Sequence, residues 1–256
     1  LKRLSFQYTI SIVFEWPVAD HAFLLRCLPP SLPGQRILDV CLSLFPCVPY
    51  ALQRDAFGNL IELGRICAPH DSFTYGVTGS ALMDGTPTEP EPLFPVYRFP
   101  SAYTRPDCAL SEFGRSLPLT GSPAEMSLQL AQAVHGLFTY TPGITGVKTT
   151  AARAFSLRQG VCQDYTHVFL ALARLRGIPA RYVSGLLTGE GSSHAWAEIY
   201  DGERWMGVDP THCRPADDSY IRFNVGRDFD DCAMERGVFH GGASQSQSVA
   251  SRVTEQ

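Results

Sequence analysis

The stretch that most constrains this chain is residues 160–187, GVCQDYTHVFLALARLRGIPARYVSGLL. Val161, Tyr165, Val168, Phe169, Leu172 and Leu175 recur at steps of three and four, the spacing of one buried helical face. Gly177 and Pro179 predict where that helix ends, because glycine accepts the left-handed C-terminal position and proline cannot continue a helix. Residues 181–187 then read as a strand. Cys162 therefore falls in the first turn of the helix, where unpaired amides and the helix dipole favour a thiolate, the nucleophilic form of cysteine. A cysteine so placed is also an ordinary small core residue, since free cysteines are usually buried and inert. Residues further along separate the two readings.

With 256 residues the chain can fill one large core or two modest ones. A net charge of -4 argues against nucleic acid or an anionic membrane surface as the main partner. No apolar run reaches the roughly 18 residues of a membrane helix, and no charged start leads into an apolar secretion segment. Cysteines stand at 27, 41, 47, 67, 108, 162, 213 and 232, none in a Cys-x-x-Cys pair. They read as the reduced thiols of a cytoplasmic protein.

From residue 6 the chain alternates, with Phe6, Tyr8, Ile10, Ile12 and Phe14 on one side and Ser5, Gln7, Thr9 and Ser11 on the other. That is a strand with one buried face. Short apolar runs follow at 22–28, 36–45, 48–54, 60–67 and 72–82, separated by turn residues, which predicts an all-β sandwich over 1–83. Residues 55–59 read as a hairpin turn. His21 and His70 have no partners in view and read as packing or surface residues. Prolines at 87, 90, 92, 95, 100 and 106 then exclude helix and interior strand, so 84–117 is expected to be a linker or strap.

The unit expected over 118–256 opens with Ser122-Pro-Ala-Glu125, a capping box with proline at the first helical position. Thr149 or Thr150 caps a second short helix, and the cysteine helix follows. Beyond the strand at 181–187, His194, Trp196, Glu198 and Tyr200 alternate on one face. Asp201-Gly202 is a strong hairpin signal, and residues 204–211 return. A two-residue loop of Asp201 and Gly202 places His194 directly opposite Asp209, Trp196 opposite Gly207 and Glu198 opposite Trp205. Directly opposed side chains have Cβ atoms about 4.5–5.5 Å apart. A three-residue loop would set Asp209 beside the histidine instead. A thiol, a neighbouring base and a third group orienting that base are what nucleophilic catalysis requires.

Gly160-Val-Cys-Gln-Asp164, Arg174-x-x-Gly-Ile-Pro-Ala-Arg-Tyr-Val183, Ser193-His-Ala-Trp196 and Asp209-Pro-Thr211 resemble the transglutaminase-like superfamily of cysteine enzymes. Gly226-Arg-Asp-Phe229, Arg236-Gly237 and Gly241-Gly242 resemble the closing part of its bacterial branch. Pro-Gly-Gln35 and Phe-Gly-Asn59 are more loosely similar to that branch's β-domain. The resemblance implies an α+β fold: a papain-like core of helices on an antiparallel sheet, behind an N-terminal β-sandwich. It implies Cys162 as nucleophile, His194 as base and Asp209 as orienting acid, acting on a peptide or protein amide through a thioester. One departure stands out, Cys232-Ala-Met234 where the branch has a small Ser-Pro segment, and it bears on substrate contacts from that loop.

The Cys162 amide is a natural oxyanion donor. Gln159, Tyr140 and Trp196 are candidates for the second, and each is also an ordinary packing residue. Asp164 is expected to stabilise the helix start, Arg181 to form a structural ion pair, and Arg227 and Asp228 to do likewise. Trp205 either walls the cleft or packs. No cofactor is expected. His212-Cys213 makes a poor metal site, since adjacent ligands lack partners. The leading expectation is an amide hydrolase; an amine-transferring transglutaminase and a non-catalytic binding module are its rivals.

Overall fold

The computed structural model describes residues 1–84 and 90–256. Strands β1 (Lys2–Leu25), β2 (Gln35–Phe45), β3 (Tyr50–Arg54), β4 (Leu60–Ile66) and β5 (His70–Met83) come first. Then come α1 (Cys108–Ser116), α2 (Pro123–Leu137), β6 (Thr139–Tyr140), α3 (Ala151–Leu157), β7 (Gln159–Gly160) and α4 (Cys162–Leu175). Strands β8 (Ala180–Leu187), β9 (Gly189–Gly191), β10 (His194–Tyr200), β11 (Trp205–Asp209), β12 (Arg214–Pro215) and β13 (Tyr220–Gly226) follow. The chain closes with α5 (Phe229–Cys232), β14 (Glu235–His240) and β15 (Gln245–Glu255).

Strand β1 is the spine of the N-terminal layer. Its alternating first half buries Phe6, Tyr8, Ile10, Ile12 and Phe14 and pairs with β5 on one side and β15 on the other. The register against β5 shifts between Val13 and Val18, around Pro17, which cannot donate to a ladder. Beyond the shift, β1 pairs with β4 and β14 instead. One long strand thereby joins both parts of a curled eight-stranded sheet. The hairpin at 55–59 is present, closed by Asp55 N–H donating to the Asn59 carbonyl at 3.0 Å. His21 packs, stacked on His70 with ring centroids 5.4 Å apart.

Two expectations about organisation change. The unit expected over 118–256 gives up its end, since β14 and β15 return to β1 and β9 adds to β15. Of β15 only Ser251 and Val253 are buried, so no apolar pattern announces it. The strap expected over 84–117 holds a 3-10 turn at Pro95–Arg98 and the helix α1, capped by Asp107 accepting from Leu110 N–H at 2.8 Å. Proline excludes helix interiors, but it suits a first turn and says nothing of residues past Pro106. Pro87 lies outside the described residues.

The second sheet runs β12-β11-β10-β8-β13, all antiparallel. Helix α4 lies on one face of it, where Ala195, Ala197, Ile199 and Val208 meet Val168, Phe169 and Leu172. The capping box at Ser122 starts α2 as expected. Because α1, α2 and α3 cover the rest of α4, that helix is buried nearly all round rather than on one face. Several of its polar groups find partners inside the fold. Arg174 donates to the carbonyls of Ala180 and Arg227 and to Thr104. Burial pushes the His167 imidazole down to about 3, and its Nε2 accepts from Phe229 N–H at 3.1 Å.

The β8–β13 end of this sheet meets the N-terminal layer, where Leu186, Ile221 and Phe223 cluster with Phe6 and Tyr8. The open edge of β13 is closed by two side-chain amides. Gln35 accepts from Arg222 N–H and donates to its carbonyl, both at 2.8 Å, and Asn59 does the same for Val225. Each amide stands in for a strand partner, satisfying backbone groups that would otherwise be unpaired.

Candidate active site

Cys162 begins α4 and is partly exposed. The turn that presents it is fixed by Asp164, whose Oδ2 accepts from Val161 N–H at 2.8 Å and from Thr145 Oγ1 at 2.6 Å. Burial raises this carboxyl, while those bonds pull the other way. Gly160 is required here, because a Cβ would run into the Asp164 carboxylate. The short parallel pair β6 and β7 sets Tyr140 beside Gly160, with Thr141 N–H donating to the Gly160 carbonyl at 2.8 Å.

The hairpin register differs from the expected one. Tyr200 pairs with Trp205, Ile199 with Met206, Glu198 with Gly207 and Ala197 with Val208. The loop is Gly202-Glu203, because Asp201 Oδ1 accepts from Glu203 N–H and Arg204 N–H at 2.9 Å each and Asp201 N–H donates to the Arg204 carbonyl. Asp201 thus stands before the turn instead of inside it, as an Asx turn requires. The displacement is by two residues, so every side chain keeps its face. Asp209 therefore reaches His194 on a diagonal and not from directly opposite. Gly207 faces Glu198 rather than Trp196, and a Cβ there would meet the Ala216 Cβ at 2.6 Å.

His194 Nε2 lies 2.7 Å from Asp209 Oδ2, and the ring is near enough to the Cys162 thiol to be coupled to it electrostatically. With Nε2 turned to the carboxylate, Nδ1 is the nitrogen toward sulfur. Burial lowers the imidazole, but Asp209 and Cys162 outweigh it and push it up to about 9. Asp209 is fully buried. Burial raises its carboxyl, yet His194, His212 and Tyr220 together hold it well below the usual range. Oδ2 receives His212 Nδ1 at 2.7 Å and Tyr220 Oη at 2.8 Å, and Oδ1 accepts from the amides of Thr211 and His212. Arg214 Nε in turn donates to Tyr220 Oη at 3.0 Å.

Of the three second-donor candidates, Gln159 and Tyr140 are exposed on the pair leading into Cys162. Trp196 is buried and walls the imidazole, its ring 6.2 Å from His194 and 5.2 Å from Tyr220. Trp205 packs away from the thiol, under the Arg181 guanidinium at 4.1 Å. Arg181 pairs with Glu198 and Glu91. Arg227 pairs with Asp231, not Asp228, which instead caps α5. Cys232 and Met234 are buried, so the departing loop packs inward.

Sequence reasoning missed His212 and Tyr220. His212 had a signal, since an aspartate accepting from the amides two and three residues on brings the third side chain back to itself. Tyr220 had none, because strand alternation does not say which carboxylate a phenol will meet. The expectation for His212 as a metal ligand also changes: the fold gives it His194 and Asp209 as neighbours, the three ligand atoms lying within 4.8 Å of one another. Cys213 is not among them.

Residues 4–81 match the bacterial transglutaminase-like N-terminal region, and residues 116–210 match the transglutaminase-like superfamily core. A protein of Cytophaga hutchinsonii, described as a proposed cysteine protease, superposes with a TM-score of 0.80 at 22% identity, covering 99% of this chain and 90% of its own. At that identity the likeness speaks to fold. An uncharacterized protein of Mycobacterium leprae is 28% identical over 98% of both chains. One of Mycobacterium bovis is 26% identical over 75% of this chain and 73% of its own.

Proposed function

Because this chain joins a bacterial transglutaminase-like N-terminal region to a transglutaminase-like superfamily core, we propose that it is a cysteine-dependent acyl-transfer enzyme that hydrolyses a peptide or related amide. The observation that carries this reading is the His194 ring, held by the Asp209 carboxylate at 2.7 Å and coupled electrostatically to the Cys162 thiol. In the proposed cycle the Cys162 thiolate attacks the amide carbonyl. The Cys162 amide, among the first-turn N–H groups without an intrahelical partner, stabilises the oxyanion. His194, holding both ring protons at neutral pH, gives one to the leaving amine as the C–N bond breaks and a thioester remains. Water then adds, His194 takes its proton, and the acid is released with the thiol restored. Cys162 and His194 are both partly exposed, which favours water over an amine in the second step. Eight unpaired thiols support a reducing, cytoplasmic setting.

Incubation with a peptide library, with and without a primary amine, tests this by mass spectrometry. Cleavage or deamidation at both amine levels is the expected result. Dominant amine incorporation would mark a transglutaminase, and no mass change with folded protein would mark a binding module.

A further inference from the structure

We infer that His194, Asp209 and His212 form a binding site for a divalent cation of the zinc class, one that switches off the imidazole at the Cys162 thiol. Two imidazole nitrogens and a carboxylate oxygen are the donor set that such a cation takes, with a fourth position left for water. The three donor atoms already converge: His194 Nε2 and His212 Nδ1 each lie 2.7 Å from Asp209 Oδ2. They come from three consecutive features, the start of β10, the end of β11 and the turn after it, so the backbone holds them together without the cation.

The outer partners are in place as well. Two backbone amides hold Oδ1, and Tyr220, itself held by Arg214, holds Oδ2, so the carboxylate has one orientation. The His212 side chain is 47% exposed, which gives the cation a way in from solvent and leaves the fourth position wet. Cys213, next in sequence, is not needed.

The inhibitory consequence rests on the proposed acyl-transfer reading; the binding itself does not. Coordination releases the Nε2 proton of His194 to solvent and uses the lone pair it leaves. The ring then carries its single proton on Nδ1, the nitrogen toward Cys162, and has no lone pair left with which to take a proton from the thiol. The cation also occupies the carboxylate that balances imidazolium charge. Metal binding and acyl transfer are therefore exclusive at this site, and His212, which takes no step in the proposed cycle, is what converts the triad into a ligand set.

The test is a Zn²⁺ titration of the full chain followed in ¹H–¹⁵N spectra of the histidine imidazoles, a readout that needs no turnover. One equivalent should shift the His194 and His212 signals together, in the wild type and equally in Cys162→Ser. His212→Ala should weaken binding at least about 100-fold, since loss of a mere outer partner costs 10- to 100-fold. His212→Gln serves the same purpose if the alanine variant does not fold. Iodoacetamide labelling of Cys162 should slow with Zn²⁺ in the wild type and recover with a chelator. A His194 shift that requires Cys162, undiminished binding in both His212 variants, or no imidazole response to Zn²⁺ would each overturn the site. Absence of amide turnover with the imidazole shifts intact would instead count against the catalytic reading alone.

Discussion

Asp209→Asn is expected to leave the fold standing and to lower turnover by up to roughly 10,000-fold. The carboxylate takes donors from His194, His212, Tyr220 and two backbone amides. An amide offers one oxygen and one NH₂ group, so the substituted side chain must turn donors toward at least one of these donors. It also brings no charge to balance imidazolium and no preference for the tautomer that leaves Nδ1 toward sulfur. The same change has a pH signature. His194 is raised from 6.5 to about 9, so the stability it contributes is full below 6.5 and is lost as pH rises through about 9. Asp209 is depressed from 3.8, so its share is full above 3.8 and is lost as pH falls through its folded value. Thermal melts of wild type and variant should therefore differ most between pH 3.8 and 6.5 and draw together on either side. Turnover within tenfold of the wild type on the substrate found by mass spectrometry would remove Asp209 from the mechanism.

Arg181→Met is expected to cost about 3–5 kcal/mol of stability, the penalty for breaking a buried ion pair. The Arg181 side chain is 2% exposed, donates to Glu198 at 2.7 Å and to Glu91 at 2.6 Å, and lies over the Trp205 ring. Without it Glu198, also buried, keeps Arg222 as its one ion-pair partner among the described residues. Burial raises the Glu198 carboxyl and the two arginines lower it further, so one arginine alone leaves a charge that is expensive to hold in the sheet. Adding Glu198→Gln should recover part of the loss, because the uncompensated charge goes with it. Urea unfolding at neutral pH measures both. A loss below about 1 kcal/mol would mean the network behaves as an exposed pair does.

Much of the candidate site was legible because its parts are local. The helix carrying Cys162 shows in the spacing of Val168, Phe169 and Leu172, and its start in the Gly160 and Asp164 that frame the turn. The shared face of His194, Trp196 and Glu198 follows from period two alone. The exact partner across the hairpin did not, since Asp-Gly suits both the inside and the lip of a two-residue turn, and side-chain bonds from Asp201 decided it. Contacts between distant segments left no periodic trace. Nothing in the polar run 245–255 announces a partner for β1, and no pattern ties Gln35 or Asn59 to the free edge of β13. Those amides give a physical reason for two of the residues on which the N-terminal resemblance rested.

The central claim is that His194 activates Cys162, and limiting iodoacetamide at about pH 6 tests it most directly, since alkylation reads the thiolate. Exposure alone predicts the opposite order, because Cys41, Cys47, Cys67 and Cys108 are exposed while Cys162 is only partly so. Peptide mapping should find Cys162 modified ahead of the other seven, and His194→Ala should abolish that lead. Labelling that follows exposure, with Cys162 no faster than Cys41 or Cys108, would contradict it.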